Sequence, residues 1–169
     1  MKPVILLRGP VTEDSLDHAW REIEYYKKRD ESDIVLIIDS QGGNGTKAIE
    51  FIEKVKDFGV NIAAKIYHAE SAAALIALAA NKRDMVANGL LVIHLGSVQV
   101  ESCDIGYDCV IPQHFKVMTD EIRKMALGLL DEIGALKPSP YVDKLLATNR
   151  LTLTAEQCLE LGIVDRIVG

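Results

Sequence analysis

An α/β fold around a parallel sheet is what the amino-acid sequence predicts, on three observations. Apolar runs of strand length recur at residues 3–8, 34–38 and 60–67, and each is followed by a segment of helical character. The second run, Ile34-Val35-Leu36-Ile37-Ile38, has no polar alternation, the pattern of a strand buried on both faces. It ends in a glycine loop, Asp39-Ser40-Gln41-Gly42-Gly43-Asn44-Gly45, that leads into a helix over residues 46–58. Strand, loop and helix in that order make a βαβ pattern, and ligands bind beyond the carboxyl ends of such strands.

Residues 3–8 form the first strand and Gly9-Pro10 a turn. The helix over residues 12–28 starts acidic and ends basic, which complements its dipole. Leu16, Trp20, Ile23 and Tyr26 recur at helical spacing, so this face packs on the sheet while His18 and the charges stay in water. After the strand at 60–67 comes an Ala/Leu helix over 71–81, then a strand pair or one bent strand over 85–94. Alternating residues over 97–111 suggest a hairpin or loop. Residues 113–133 read as one long helix carrying Phe115, Val117, Met118, Ile122, Met125, Leu129 and Ile133. Pro138 and Pro140 interrupt the chain before a short helix at 141–148.

With 169 residues, 49% apolar and 26% charged, the chain is long enough for one globular domain over residues 1–169. Aromatic residues are 5% of it, so the core is aliphatic. A net charge of −6 argues against a nucleic-acid partner or an anionic membrane surface. Arg8 interrupts the first apolar run, so no leader is expected, and the longest apolar helix, over 72–80, is too short to span a bilayer. Cys103, Cys109 and Cys158 are odd in number and lack metal-site spacing, which makes reduced thiols in a cytoplasmic protein the expectation.

The chemistry is expected where the apolar stretch over 63–80 breaks at one polar step, His68-Ala69-Glu70-Ser71. Ser71 opens the next helix, near unpaired backbone N–H groups that favour negative charge developing beside it. Read alone, such a serine is also an ordinary N-cap. Gly42-Gly43 lets backbone N–H groups approach a bound carbonyl closely, half of an oxyanion hole, or else makes only a tight turn. The loop lacks the spacing of nucleotide-binding glycine motifs.

Ile-Asp-Ser-Gln-Gly-Gly, then His-Ala-Glu-Ser-Ala-Ala, then Val92-Ile93-His94 follow one another after successive strands. Together with the opening Val4-Ile5-Leu6-Leu7-Arg8-Gly9-Pro10-Val11 and the closing stretch over 153–165, this order resembles the proteolytic subunit of the Clp protease along nearly the whole chain. The resemblance implies a crotonase-like stack of repeated β-β-α units with a protruding helical handle, about residues 97–137 here. It implies a serine endopeptidase working inside an oligomeric ring, with Ser71 as nucleophile, His94 as general base, and Gly43 and Ala72 as the oxyanion-hole donors. Peptides or unfolded proteins would be its substrates, further copies of the chain its ring partners, and an ATP-dependent unfoldase a possible partner; no cofactor is implied.

The sequence departs from the family pattern at three places. Glu70 precedes the nucleophile where the family has a small residue, and would repel an oxyanion if turned inward or bind a cationic substrate group if turned outward. Gln41 replaces a proline. The family's third catalytic residue, an aspartate, falls in Asn149-Arg150-Leu151, which holds no acid; Asn149 as a neutral acceptor, or Asp143 in another register, would take its place. Three other readings stay open: a Ser-Lys peptidase resembling signal peptide peptidase A with Lys116 or Lys124 as base, a catalytically impaired assembly subunit, and an acyl-CoA enzyme of the crotonase type that would not need Ser71.

Overall fold

The computed structural model describes residues 2–95 and 113–169, with side chains in the second stretch from residue 116 on. The hairpin or loop expected over 97–111, with Cys103 and Cys109, lies outside the described residues. In chain order the elements are β1 (Val4–Arg8), α1 (Glu13–Lys27), β2 (Asp33–Ser40), α2 (Gly45–Phe58), β3 (Asn61–Glu70), α3 (Ala72–Leu78), β4 (Lys82–His94), α4 (Gln113–Ile133), α5 (Pro140–Thr148), β5 (Arg150–Thr154), α6 (Ala155–Glu160) and β6 (Arg166–Val168). The fold is mixed α/β, as the sequence predicts.

The sheet has six strands in the order β1-β2-β3-β4-β5, with β6 paired to β4. β1 to β4 are parallel, each beside its predecessor, and β5 joins antiparallel to β4. Right-handed crossovers that always step in the same direction place their helices on the same face of the sheet. Accordingly α1 packs on α2, α2 on α3, and α4 lies against both α2 and α3.

One-sided packing corrects the expectation of a doubly buried strand. Ile34, Leu36 and Ile38 are buried under the helices, whereas Val35 and Ile37 are only half-buried. On β1, Ile5 and Leu7 are buried while Val4 and Leu6 are 48% and 59% exposed. The unalternating apolar pattern therefore serves a helix-covered face and a second apolar face that other described residues leave largely open.

Every residue of α3 is buried, so its lack of an amphipathic stripe reflects a helix enclosed by the core. Thr12 caps α1 through the N–H of Ser15, and the Ser15 hydroxyl accepts in return from the Thr12 N–H. The strand expected to stop at residue 67 continues to Glu70. Its ladder to β4 shifts register between Ile66 and His68, then resumes with His68, Ala69 and Glu70 opposite Leu90, Leu91 and Val92. Of the two forms expected over 85–94, the single bent strand is observed, since β4 runs unbroken past that shift.

β5 and β6 were not expected, although Arg150-Leu151-Thr152-Leu153-Thr154 alternates, with Leu151 and Leu153 buried. Arg166 clamps the three-residue β6 to β4 by a bidentate pair with Asp84, at 3.0 and 2.6 Å. The guanidinium holds the Asp84 carboxyl below its ordinary range. Cys158 is a free thiol inside the core, pushed up to about 12 by burial and so a poor nucleophile.

Candidate active site

Ser71 sits where β3 turns sharply into α3. Its N–H donates to the Val92 carbonyl at 2.9 Å and its carbonyl accepts from Leu75 N at 3.2 Å, so the backbone is anchored on both sides. Between those anchors φ is 54° and ψ −118°, and the hydroxyl makes no N-cap hydrogen bond. A non-glycine residue with positive φ is strained and persists only when its surroundings impose it. Similar strand-to-helix turns in hydrolases present a nucleophilic side chain at the surface of the sheet. The neighbouring Ala72 N–H opens the helix and has no acceptor within it.

The glycine loop is held against this turn. Val11 N donates to the Gly42 carbonyl and Asn44 N to the Val11 carbonyl, both at 2.8 Å, while buried Ser40 accepts from Gly42 N at 3.0 Å. Gly42 has φ 87°, and a Cβ there would run into the Glu70 carbonyl oxygen and lie 2.9 Å from Ser71 Cβ and 3.1 Å from Ala72 N. At Gly43, with φ 151°, a Cβ would strike the Val11 carbonyl oxygen. The double glycine is thus required by close approach of one backbone to another. Gly42→Ala is expected to destabilise the fold by about 1–3 kcal/mol in chemical denaturation, since the added methyl meets fixed backbone at an unfavourable φ. A loss within 0.5 kcal/mol, roughly that of a neutral surface change, would show that the loop yields freely.

Gly43, Ser71, Ala72 and His94 line one pocket of about 260 Å³, with Met118 and Ile122 of α4 as its apolar wall. A second pocket of about 280 Å³, beside Phe51, Val55 and Ile76, includes neither a serine nor a histidine in its lining. His94 ends β4 and pairs across the sheet with Arg150 of β5. Its Nε2 lies 3.3 Å from Glu70 Oε1, which also accepts from Arg150 Nη2 at 3.2 Å. His68 Nε2 stands 3.6 Å from Glu70 Oε2, beyond hydrogen-bonding distance, and is buried with no hydrogen-bond partner among the described residues.

The other residues singled out in the sequence are placed elsewhere. Asn149 is the left-handed C-cap of α5; its Oδ1 accepts from Arg123 Nη1 at 2.7 Å and its carbonyl accepts from Leu95 N at 2.9 Å. Asp143 is exposed in the first turn of α5. Lys116 and Lys124 are exposed on α4 and do not line the Ser71 pocket, Lys124 lying instead along a groove between α2 and α4. The Glu70, His68 and Arg150 group is what sequence reading missed; its available signals were the acid before Ser71 and the cation in a stretch where an acid is expected.

A strained serine, a histidine and glycine-loop backbone around one pocket, in a mixed α/β fold, are the parts of a hydrolase site. The chain belongs to the Clp protease family, whose model, described as Clp protease, matches residues 1–169. No curated protein matches the chain significantly. Membership in the family implies a peptidase, and the family generally forms oligomeric rings acting on peptides. Among the described residues no helix is long and apolar enough to cross a membrane.

Proposed function

We propose that this chain is a serine endopeptidase, one domain over residues 1–169, with Ser71 as nucleophile and His94 as general base. The reading rests on one observation above the others: Ser71 takes a strained turn without capping the helix, and shares its pocket with His94 and the Gly43 and Ala72 backbone. Ser71 Oγ attacks the scissile carbonyl carbon while its proton passes to the imidazole of His94. The carbonyl π electrons move onto oxygen, where the Gly43 and Ala72 N–H groups stabilise the oxyanion. On collapse the C–N bond breaks, the proton passes from His94 to the leaving amine, and an acyl-serine remains. Water, deprotonated by the same imidazole, then releases the new carboxyl terminus and restores Ser71. Labelling Ser71 with a fluorophosphonate tests the assignment.

Neither Asn149 nor Asp143 enters this proposal as the third residue, because Arg123 takes the Asn149 carboxamide oxygen and Asp143 faces solvent. Work inside a ring, on peptides or unfolded protein in the cytoplasm and with an unfoldase as a further partner, is proposed from family membership. The open apolar face of β1, where Val4 and Leu6 are about half exposed, suits contact with another copy. Sedimentation of the purified chain is expected to give a closed multiple of the 18.6 kDa protomer. A monomer at micromolar concentration would remove the chamber and leave the peptidase chemistry standing.

A further inference from the structure

We infer that Glu70 is the carboxylate that orients His94 and balances its charge during catalysis, held in place by Arg150. This inference rests on the Ser71 and His94 reading above and assigns the acid that the stretch over 149–151 lacks.

Glu70 ends β3, directly before the nucleophile, and its carboxylate is largely enclosed, with the side chain 23% exposed. One oxygen serves two partners on two other strands, His94 Nε2 at 3.3 Å and Arg150 Nη2 at 3.2 Å. An ionised carboxylate only accepts hydrogen bonds, so the proton between it and His94 belongs to Nε2. The lone pair then sits on Nδ1, the nitrogen left to receive the serine proton. Catalytic hydrogen bonds are often long in the unliganded protein, and 3.3 Å is consistent with one that tightens as charge develops. When the Ser71 proton reaches the ring, both nitrogens carry hydrogen and the imidazolium faces a fixed negative charge.

Arg150 explains how an acid beside the nucleophile is compatible with an oxyanion. Its guanidinium draws the same carboxylate oxygen toward β5, beside His94, its cross-strand neighbour. That carboxylate oxygen is thereby engaged by a cation. Of the other elements around the pocket, α4 contributes apolar Met118 and Ile122, and Arg123 is taken up by Asn149. Among the described residues the remaining titratable neighbour is His68 of β3, 3.6 Å from the second carboxylate oxygen. In place of an acid near residue 149, the chain has a cation at 150 that positions an acid from another strand.

The test compares the full chain with Glu70→Gln and Glu70→Asp, following the rate of fluorophosphonate labelling of Ser71 together with the melting temperature. Glu70→Gln is expected to slow labelling by a factor on the order of 10²–10⁴, the range for a positioned acid–base partner. Glu70→Asp keeps the charge and recovers a large part of the rate. The wild type supplies a readout independent of any variant's folding: nitrogen NMR of the His94 ring is expected to show the Nε2–H tautomer in its neutral form. A wild type that labels, with Glu70→Gln folded and unchanged in rate, overturns the role of Glu70 alone, as does an Nδ1–H tautomer. A wild type whose Ser71 does not react overturns the peptidase reading itself.

Discussion

Ser71→Ala is expected to abolish fluorophosphonate labelling and to lower peptide hydrolysis by roughly 10⁴- to 10⁶-fold, the loss seen when a serine hydrolase is left with its oxyanion hole and binding alone. The same substitution is expected to leave stability within about 0.5 kcal/mol of the wild type, although loss of an N-cap serine costs about 1 kcal/mol. That separation follows from the geometry, since the Ser71 hydroxyl does not cap α3 and the turn is held by the backbone bonds to Val92 and Leu75. Activity and unfolding curves on one preparation decide the matter. Hydrolysis that survives in Ser71→Ala with labelling elsewhere would favour the crotonase-type reading, and a folded wild type that neither labels nor cleaves would favour an assembly subunit.

The fold was legible where local pattern and tertiary packing agree. The apolar spacing of Val117, Met118, Ile122, Met125, Leu129 and Ile133 marks a helix over 113–133, and α4 spans Gln113–Ile133. Strand limits were less legible because their partners are remote. Nothing in His68-Ala69-Glu70 reads as strand, yet residues 90–92 of β4 supply a ladder that carries β3 through them. In β2 the apolar run identified the strand and misread its burial, because pattern records that both faces are apolar and not which partner covers each.

The candidate site divides in the same way. Ser71, His94 and the double glycine were legible because each stands at a strand end with a residue type tied to one chemistry. The environment of His94 was not, because Glu70, His94 and Arg150 come from three strands and their ion pairs span up to 80 residues of sequence. Glu70 had two readings, inward against an oxyanion or outward toward substrate. In the structure its oxygens face two histidines and an arginine instead. The acid at 70 and the cation at 150 pair with each other, a relation that becomes visible only when the strands are laid side by side.

His94→Ala is expected to lower kcat/KM for a small peptide by a factor on the order of 10²–10⁴, the contribution of a positioned general base. In the wild type kcat/KM should rise with pH as the imidazole gives up its proton, because only the neutral ring accepts the serine proton, and the alanine variant should lose that limb. Lys116→Ala and Lys124→Ala are expected to change kcat/KM by less than about twofold, as exposed surface substitutions away from the pocket do. A lysine base would require an amine desolvated enough to stay neutral beside the nucleophile, whereas both amines are on the exposed side of α4 and the pocket wall from that helix is Met118 and Ile122. Full activity in His94→Ala combined with a large loss in either lysine variant would transfer the general base to α4. It would also require that helix to turn its polar face toward Ser71.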